Sequence, residues 1–166
     1  KEFGSQNVHI MPNPVTDNDI PLSMPDYCSR APIVFFAGFL GKRKGVFELL
    51  KAAEQVPDAH FLIYGQAEKP SGMEIFNQAL AACTARDRII LDVGYGVEKV
   101  FRYMQQARLL ALPSWGETMP LILEEAIACG LPVVTTPVGV IADYIQDGVH
   151  GHLIEPGDVS ALAAAI

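Results

Sequence analysis

Short apolar runs recur along this chain, each followed by a polar or glycine-containing turn and then by apolar positions at helical spacing. Ile33–Ala37, His60–Gly65, Arg88–Val93, Leu109–Pro113 and Leu131–Thr135 have the length and apolar character of buried strands. Between them, Val46–Gln55, Met73–Ala85 and Val97–Gln106 carry the spacing of helices. In the first, Val46, Leu49, Leu50 and Ala53 share a face. Pro113 to Gly130 reads as loop then helix, with Gly130 as the stop signal. A last helix opens at Asp158, a good N-cap, and runs to Ile166. Strands alternating with helices at intervals of about 25 residues predict an α/β fold with a doubly wound parallel sheet. About six strands flanked by helices are expected, in the order 3-2-1-4-5-6.

Residues 7–30 break this rhythm, with four prolines among mixed polar and apolar positions. They read as a short strand at Val8–Met11 followed by irregular linker. The expected division is a tail and linker over 1–30 and one domain over 31–166 whose last helix stops short. At 166 residues the chain can bury a sizeable core. No apolar run reaches the roughly 18 residues of a membrane span, and Lys1–Gln6 lacks the apolar centre of a signal peptide. The three cysteines, Cys28, Cys83 and Cys129, are odd in number and widely spaced, which predicts reduced thiols and a cytoplasmic setting. A net charge of −7 argues against nucleic acid as a partner, yet leaves room for a phosphorylated small ligand held by local cations.

Candidate chemistry gathers at two turns. Gly38 to Gly45 contains Lys42-Arg43-Lys44 ahead of a helix N-terminus, a plausible diphosphate site. A lysine about 4 Å from a phosphate contributes roughly 4 kcal/mol at an effective dielectric of about 20, against up to about 2 kcal/mol from the helix dipole. The lysine therefore dominates. Gly38-x-x-Gly41 lacks the spacing of a dinucleotide fingerprint. The second turn carries Glu117, with Glu125 eight positions on and expected on the apolar stripe of the helix. Glu124 is expected to face solvent. A carboxylate on a buried stripe needs a partner, which is either a structural ion pair or the hydroxyls of a ligand. His150 and His152 form an H-x-H pair without accompanying ligands at metal spacing.

Glu117 and Glu125, with Ala126-Ile-Ala-Cys-Gly-Leu-Pro-Val-Val134, resemble the E-x7-E signature of retaining glycosyltransferases of the GT-B fold, family 4 type. The likeness continues through Thr136–Gly139, Asp147–Gly151 and Glu155–Asp158. It implies the C-terminal, Rossmann-like half of a glycosyltransferase acting on a nucleoside diphosphate sugar in glycan, polysaccharide or glycolipid biosynthesis. An acceptor-binding N-terminal domain would lie outside this sequence, and any peripheral membrane contact would run through it. The resemblance assigns Glu125 to the donor ribose, Glu117 to the transferred sugar and Lys44 to the diphosphate, with Glu117 and Lys44 as catalytic. Gly38, Arg43, Thr118, Met119, Pro120 and Leu121 would complete the donor site. Val93, Gly94 and Tyr95, after the third strand, would line the base. No metal or other cofactor is expected. Ile10-Met-Pro-Asn13 is similar to the family's inter-domain connection. In the family an arginine follows the glycine of the first turn; here that position is Phe39. Other readings are a GT-B nucleotide-sugar epimerase and a non-catalytic interaction module.

Overall fold

A computed structural model describes residues 24–166. The expected strand at Val8–Met11 and the linker residue Asn13 lie outside the described residues. In chain order the elements are β1 (Ile33–Ala37), α1 (Val46–Gln55), β2 (His60–Gly65), α2 (Pro70–Ala82), β3 (Ile89–Val93), α3 (Val97–Gln106) and β4 (Leu109–Leu112). They continue with α4 (Leu121–Ala128), β5 (Val133–Thr135), α5 (Ile141–Tyr144), β6 (Gly151–Leu153) and α6 (Val159–Ala165). The six strands form one sheet in the order β3-β2-β1-β4-β5-β6, every pairing parallel. This is the expected order. The central strands are buried on both faces, so they read as unbroken apolar runs, whereas edge strand β3 is buried only at Ile89. Phe35, Phe36, Phe61, Ile63 and Leu110 form the centre of the core. On one face Phe35 meets Tyr103 of α3 edge to face, ring centres 5.7 Å apart.

Local chemistry explains where element ends differ from the sequence pattern. Helix α2 begins three residues earlier than the apolar spacing suggests, because Pro70 sits in its first turn, where a missing N–H costs nothing. It also ends earlier, with Cys83 as an extended C-cap. Strand β3 starts at Ile89 because Arg88 closes a 3-10 turn. The Arg88 guanidinium donates to the carbonyls of Ala53, Val56 and Ala59 at 2.6–2.8 Å, covering the C-terminal end of α1. Gly130 ends α4 as expected. Its N–H reaches Ile127 O and that of Leu131 reaches Ala126 O, with Gly130 at φ +61°, the Schellman arrangement. Leu131 is thereby used in the cap, and β5 begins only at Val133.

The order reverses between β1 and β4, so the loops leaving those strands part at the carboxyl edge of the sheet. Open α/β sheets bind ligands in that crevice.

Candidate functional site

A cavity of about 340 Å³ opens there. Its walls come from the end of β1 and its turn (Ala37, Gly38, Phe39, Lys44), the end of β2 (Tyr64, Gly65, Gln66), the approach to α3 (Tyr95, Gly96, Val100) and the start of α4 (Pro120, Leu121, Ile122, Glu125). Close backbone packing fixes the turns. Gly65 lies so near the carbonyl of Gly38 that an added Cβ would sit 1.8 Å from it. Gly45, at φ +71°, would place a Cβ 1.9 Å from Pro113 O, which locks the β1 turn to the β4 loop. The Trp115 N–H adds a 2.8 Å bond to Arg43 O.

At this seam Lys44 and Glu117 meet. Lys44 Nζ lies 2.7 Å from Glu117 Oε1, and the Ser114 hydroxyl donates to the same oxygen at 2.7 Å. The side chains are 14 % and 5 % exposed, so the pair is poorly screened by water. Glu125 sits half-buried on the opposite cavity wall, at the second turn of α4. Helix α4 also brings first-turn N–H groups of Leu121 and Ile122 to that wall, which have no partners within the helix. The cavity wall thus combines one cation, one carboxylate and helix amides over an apolar floor, with Glu117 behind the cation and not on the wall. Such a set can hold an anion and, beside it, a polyhydroxylated group.

Behind the base of the cavity, Asp92 accepts hydrogen bonds from Lys99 Nζ at 2.8 Å and from the Tyr103 hydroxyl. The hydrogen bond from Lys99, then that from Tyr103, holds the Asp92 carboxyl below its usual range. The same contact with Asp92, with burial adding to it, raises the Tyr103 hydroxyl. This cluster ties α3 to β3 and fixes the Gly94–Gly96 loop, on which Tyr95 stands 84 % exposed.

The structure places the other residues singled out from the sequence as follows. Arg43 is exposed and lines a neighbouring groove rather than this cavity. Val93, Gly94, Thr118 and Met119 are not on the cavity wall. Gly94 N–H is held by Gly65 O, and Thr118 O accepts from Val140 N–H. Glu125 flanks the buried stripe of α4, which Leu123, Ala126 and Cys129 form. Glu124 does not simply face water. Its Oε2 is buried with no hydrogen-bond partner among the described residues, and burial raises its carboxyl above the usual range. The hydroxyl of Tyr144 is orphaned in the same way, and burial, with Glu124 and Glu117 nearby, pushes it up to about 12. His150 Nδ1 accepts from Gln146 N–H, and His152 Nδ1 lies 3.4 Å from Asp147 Oδ1. No group of three metal-ligating side chains occurs among the described residues. No helix among them is long and apolar enough to cross a membrane. Tyr64, Gln66, Gly96 and Ile122 are cavity residues that the pattern did not single out. Only the strand order that puts β2 beside β1 could have pointed to Tyr64 and Gln66.

Residues 31–166 match the family model described as glycosyl transferases group 1. The chain belongs to that family. A D-inositol 3-phosphate glycosyltransferase from Xylanimonas cellulosilytica is 30% identical over 135 residues, covering 80% of this chain and 32% of the relative. Among solved structures, sucrose-phosphate synthase from Thermosynechococcus elongatus superposes with a TM-score of 0.74 at 29% identity, over 81% of this chain and 35% of that one. The pneumococcal O-GlcNAc transferase GtfA, solved with UDP and GlcNAc, gives 0.69 at 28% identity, over 86% and 30%. The chain therefore spans about a third of the length of the relatives it matches. The six-stranded parallel sheet is the Rossmann-like domain of GT-B glycosyltransferases. Phe39, an apolar side chain 44 % exposed, lines the cavity of this group 1 transferase domain.

Proposed function

We propose that this chain is the donor-binding half of a retaining glycosyltransferase that uses a nucleoside diphosphate sugar. The observation that carries this reading is the Lys44–Glu117 pair at the β1/β4 seam, with Glu125 on the facing wall of the same cavity. The diphosphate lies along Gly38 and Lys44, where the ammonium and the first-turn amides of α4 offset its charge. Glu125 accepts from the ribose hydroxyls. Glu117 accepts from hydroxyls of the sugar, and Ser114 keeps one of its oxygens oriented. The base occupies the end beneath Tyr95. Substrate breaks a pre-formed ion pair, because Lys44 must turn part of its donor capacity from Glu117 to phosphate. In the reaction the bond from the anomeric carbon to the diphosphate breaks and one to an acceptor hydroxyl forms. Positive charge already in place at the departing diphosphate stabilises the transition state more than the ground state. UDP is the first nucleotide to test, given the pneumococcal relative solved with it.

Calorimetric titration with UDP, GDP and ADP tests the reading. One nucleotide is expected to bind, with Glu125→Ala weakening it by about 1.5–3 kcal/mol, the worth of a hydrogen bond to a charged group. Unchanged affinity in that variant would remove Glu125 from the site.

A further inference from the structure

Glu124 Oε2 on α4 and the Tyr144 hydroxyl on α5 are both buried without a hydrogen-bond partner among the described residues. Buried polar groups left in that condition cost stability, so each needs a physical reason to persist. Their surroundings supply one. Helix α5 is seated on the backbone that carries Glu117. Gly139, at φ +63°, runs so close that an added Cβ would lie 2.2 Å from Glu117 O and 3.1 Å from Thr118 O. The Val140 N–H donates to Thr118 O at 3.4 Å, and Ile141 is fully buried behind it. Tyr144 therefore stands on a short helix clamped to the Glu117 loop. After burial, the charges that raise its hydroxyl are those of Glu124 and then Glu117, so it lies within electrostatic reach of both carboxyls. Burial also favours the protonated form of Glu124, which makes that carboxyl a donor.

The bonding of Glu117 shows where such donors are needed. Its Oε1 accepts from Lys44 and from Ser114, each at 2.7 Å, and no described residue donates to Oε2. A diphosphate that draws Lys44 away leaves Glu117, 5 % exposed, with Ser114 alone. A buried carboxylate so stripped is costly. A phenol donates to a carboxylate without bringing a second positive charge to the site, and its oxygen can accept a bond at the same time. Protonated Glu124 donating to Tyr144, and Tyr144 donating to Glu117, would engage both orphaned groups in one chain. Each O–H turns to its acceptor and no proton changes residue. Linked bonds of this kind polarise and strengthen one another.

We propose that Tyr144, backed by Glu124, is a positioning residue that takes over Glu117 when the donor diphosphate draws Lys44 away, and so keeps the Glu117 carboxylate aimed at the sugar. This role rests on the donor reading above. The stability lost to two unpartnered groups in the free chain is then recovered on donor binding.

Calorimetric titration with UDP, paired with urea unfolding in its absence, tests this on the 166-residue chain. Tyr144→Phe is expected to weaken UDP binding about tenfold. Its unfolding midpoint without UDP should be unchanged or higher, since an orphaned hydroxyl has been removed. Glu124→Gln, whose amide also donates to the phenol oxygen, should bind UDP nearly as well as the unsubstituted chain. Glu124→Leu should weaken it, by a smaller factor than Tyr144→Phe. With carbon-13 at the tyrosine Cζ positions, the Tyr144 resonance, assigned by its loss in Tyr144→Phe, should shift on saturation with UDP. Unchanged UDP affinity in Tyr144→Phe, a UDP-free midpoint that falls in that variant, or a Cζ resonance indifferent to UDP would overturn the role. Glu124→Gln as weak as Glu124→Leu would remove Glu124 from it. Failure of UDP, GDP and ADP alike to bind the unsubstituted chain would overturn the donor reading, and this role with it; binding that is indifferent to Tyr144 would strike the role alone.

Discussion

The donor cavity has two walls built from the same chemistry and placed in opposite ways. At the β1/β4 seam, Glu117 accepts from a lysine and a hydroxyl, Lys44 and Ser114. At the β3/α3 side, Asp92 also accepts from a lysine and a hydroxyl, Lys99 and Tyr103. The first cluster belongs to the site itself and is almost shielded from water. The second stands behind the site, with the Lys99 side chain 51 % exposed. On the proposed reading, the first ion pair is shared with a ligand charge. The other only holds a loop in place, and solvent screens it. The difference teaches that burial, not residue type, is what separates two pairs of the same chemistry.

The glycines beside the two clusters offer the sharpest contrast. At Gly45 the left-handed backbone alone costs a non-glycine residue about 1–2 kcal/mol, and an added Cβ would overlap Pro113 O at 1.9 Å. Gly45→Ala is therefore expected to destabilise by about 3 kcal/mol or more in urea unfolding. At Gly94 a Cβ would meet only the edge of the Tyr64 ring, at 3.3 Å. Gly94→Ala is expected to cost less than about 1 kcal/mol, since a ring edge can give way. Equal losses would show that the two walls are equally rigid and end the contrast.

Next in size is the removal of each lysine. Lys44→Met leaves the buried Glu117 with Ser114 alone, and a lost hydrogen bond to a charged group is worth about 1.5–3 kcal/mol. Nucleotide affinity is expected to fall with it. Lys99→Met, at an exposed pair, is expected to leave the unfolding midpoint within experimental scatter. A larger loss for Lys99→Met than for Lys44→Met would reverse the assignment of the two clusters.

Much of this frame was legible in the sequence, and the reasons are local. Apolar runs separated by helical spacing were enough for the parallel sheet, because a sheet buried on both faces needs such runs, and the usual doubly wound order supplied the rest. Gly130 announced its Schellman cap, and Gly45 followed the lysine that reaches the cavity. What the sequence hid depends on contacts between distant elements. Arg43 and Lys44 are neighbours in a 3-10 turn, and nothing local says that one faces the cavity and the other the groove. Tyr64 lines the site because the strand order brings the end of β2 beside that of β1, and Tyr64 itself pairs with Ala37. Glu124 lies close in sequence to the residues of the cavity, yet loses its water at one oxygen, as does Tyr144 from an element 17 residues further on.

That hidden carboxylate gives the smallest effect, and one whose sign differs from that of Asp92. Burial raises the Glu124 carboxyl in the folded chain, so folding favours its protonated form. Its contribution to stability is complete below the ordinary glutamate range and is lost as pH rises through the raised folded value. Hydrogen bonds from Lys99 and Tyr103 lower the Asp92 carboxyl, so its contribution is present above the ordinary aspartate range and is lost as pH falls through the lowered value. Urea unfolding of Glu124→Gln at pH 4, 5.5 and 7, and of Asp92→Asn at pH 2.5, 4 and 5.5, reads both. Relative to the unsubstituted chain, Glu124→Gln is expected to gain stability from the lowest pH to the highest, because the variant has no charge to bury. Asp92→Asn is expected to lose stability relative to the unsubstituted chain as pH rises from 2.5 to 4 and to change little above that, because the ionised Asp92 already has its two donors there. Parallel pH profiles for the two variants would mean that Glu124 finds a partner in solution, and the carboxylate of the α4 helix would then resemble the one behind the base loop after all.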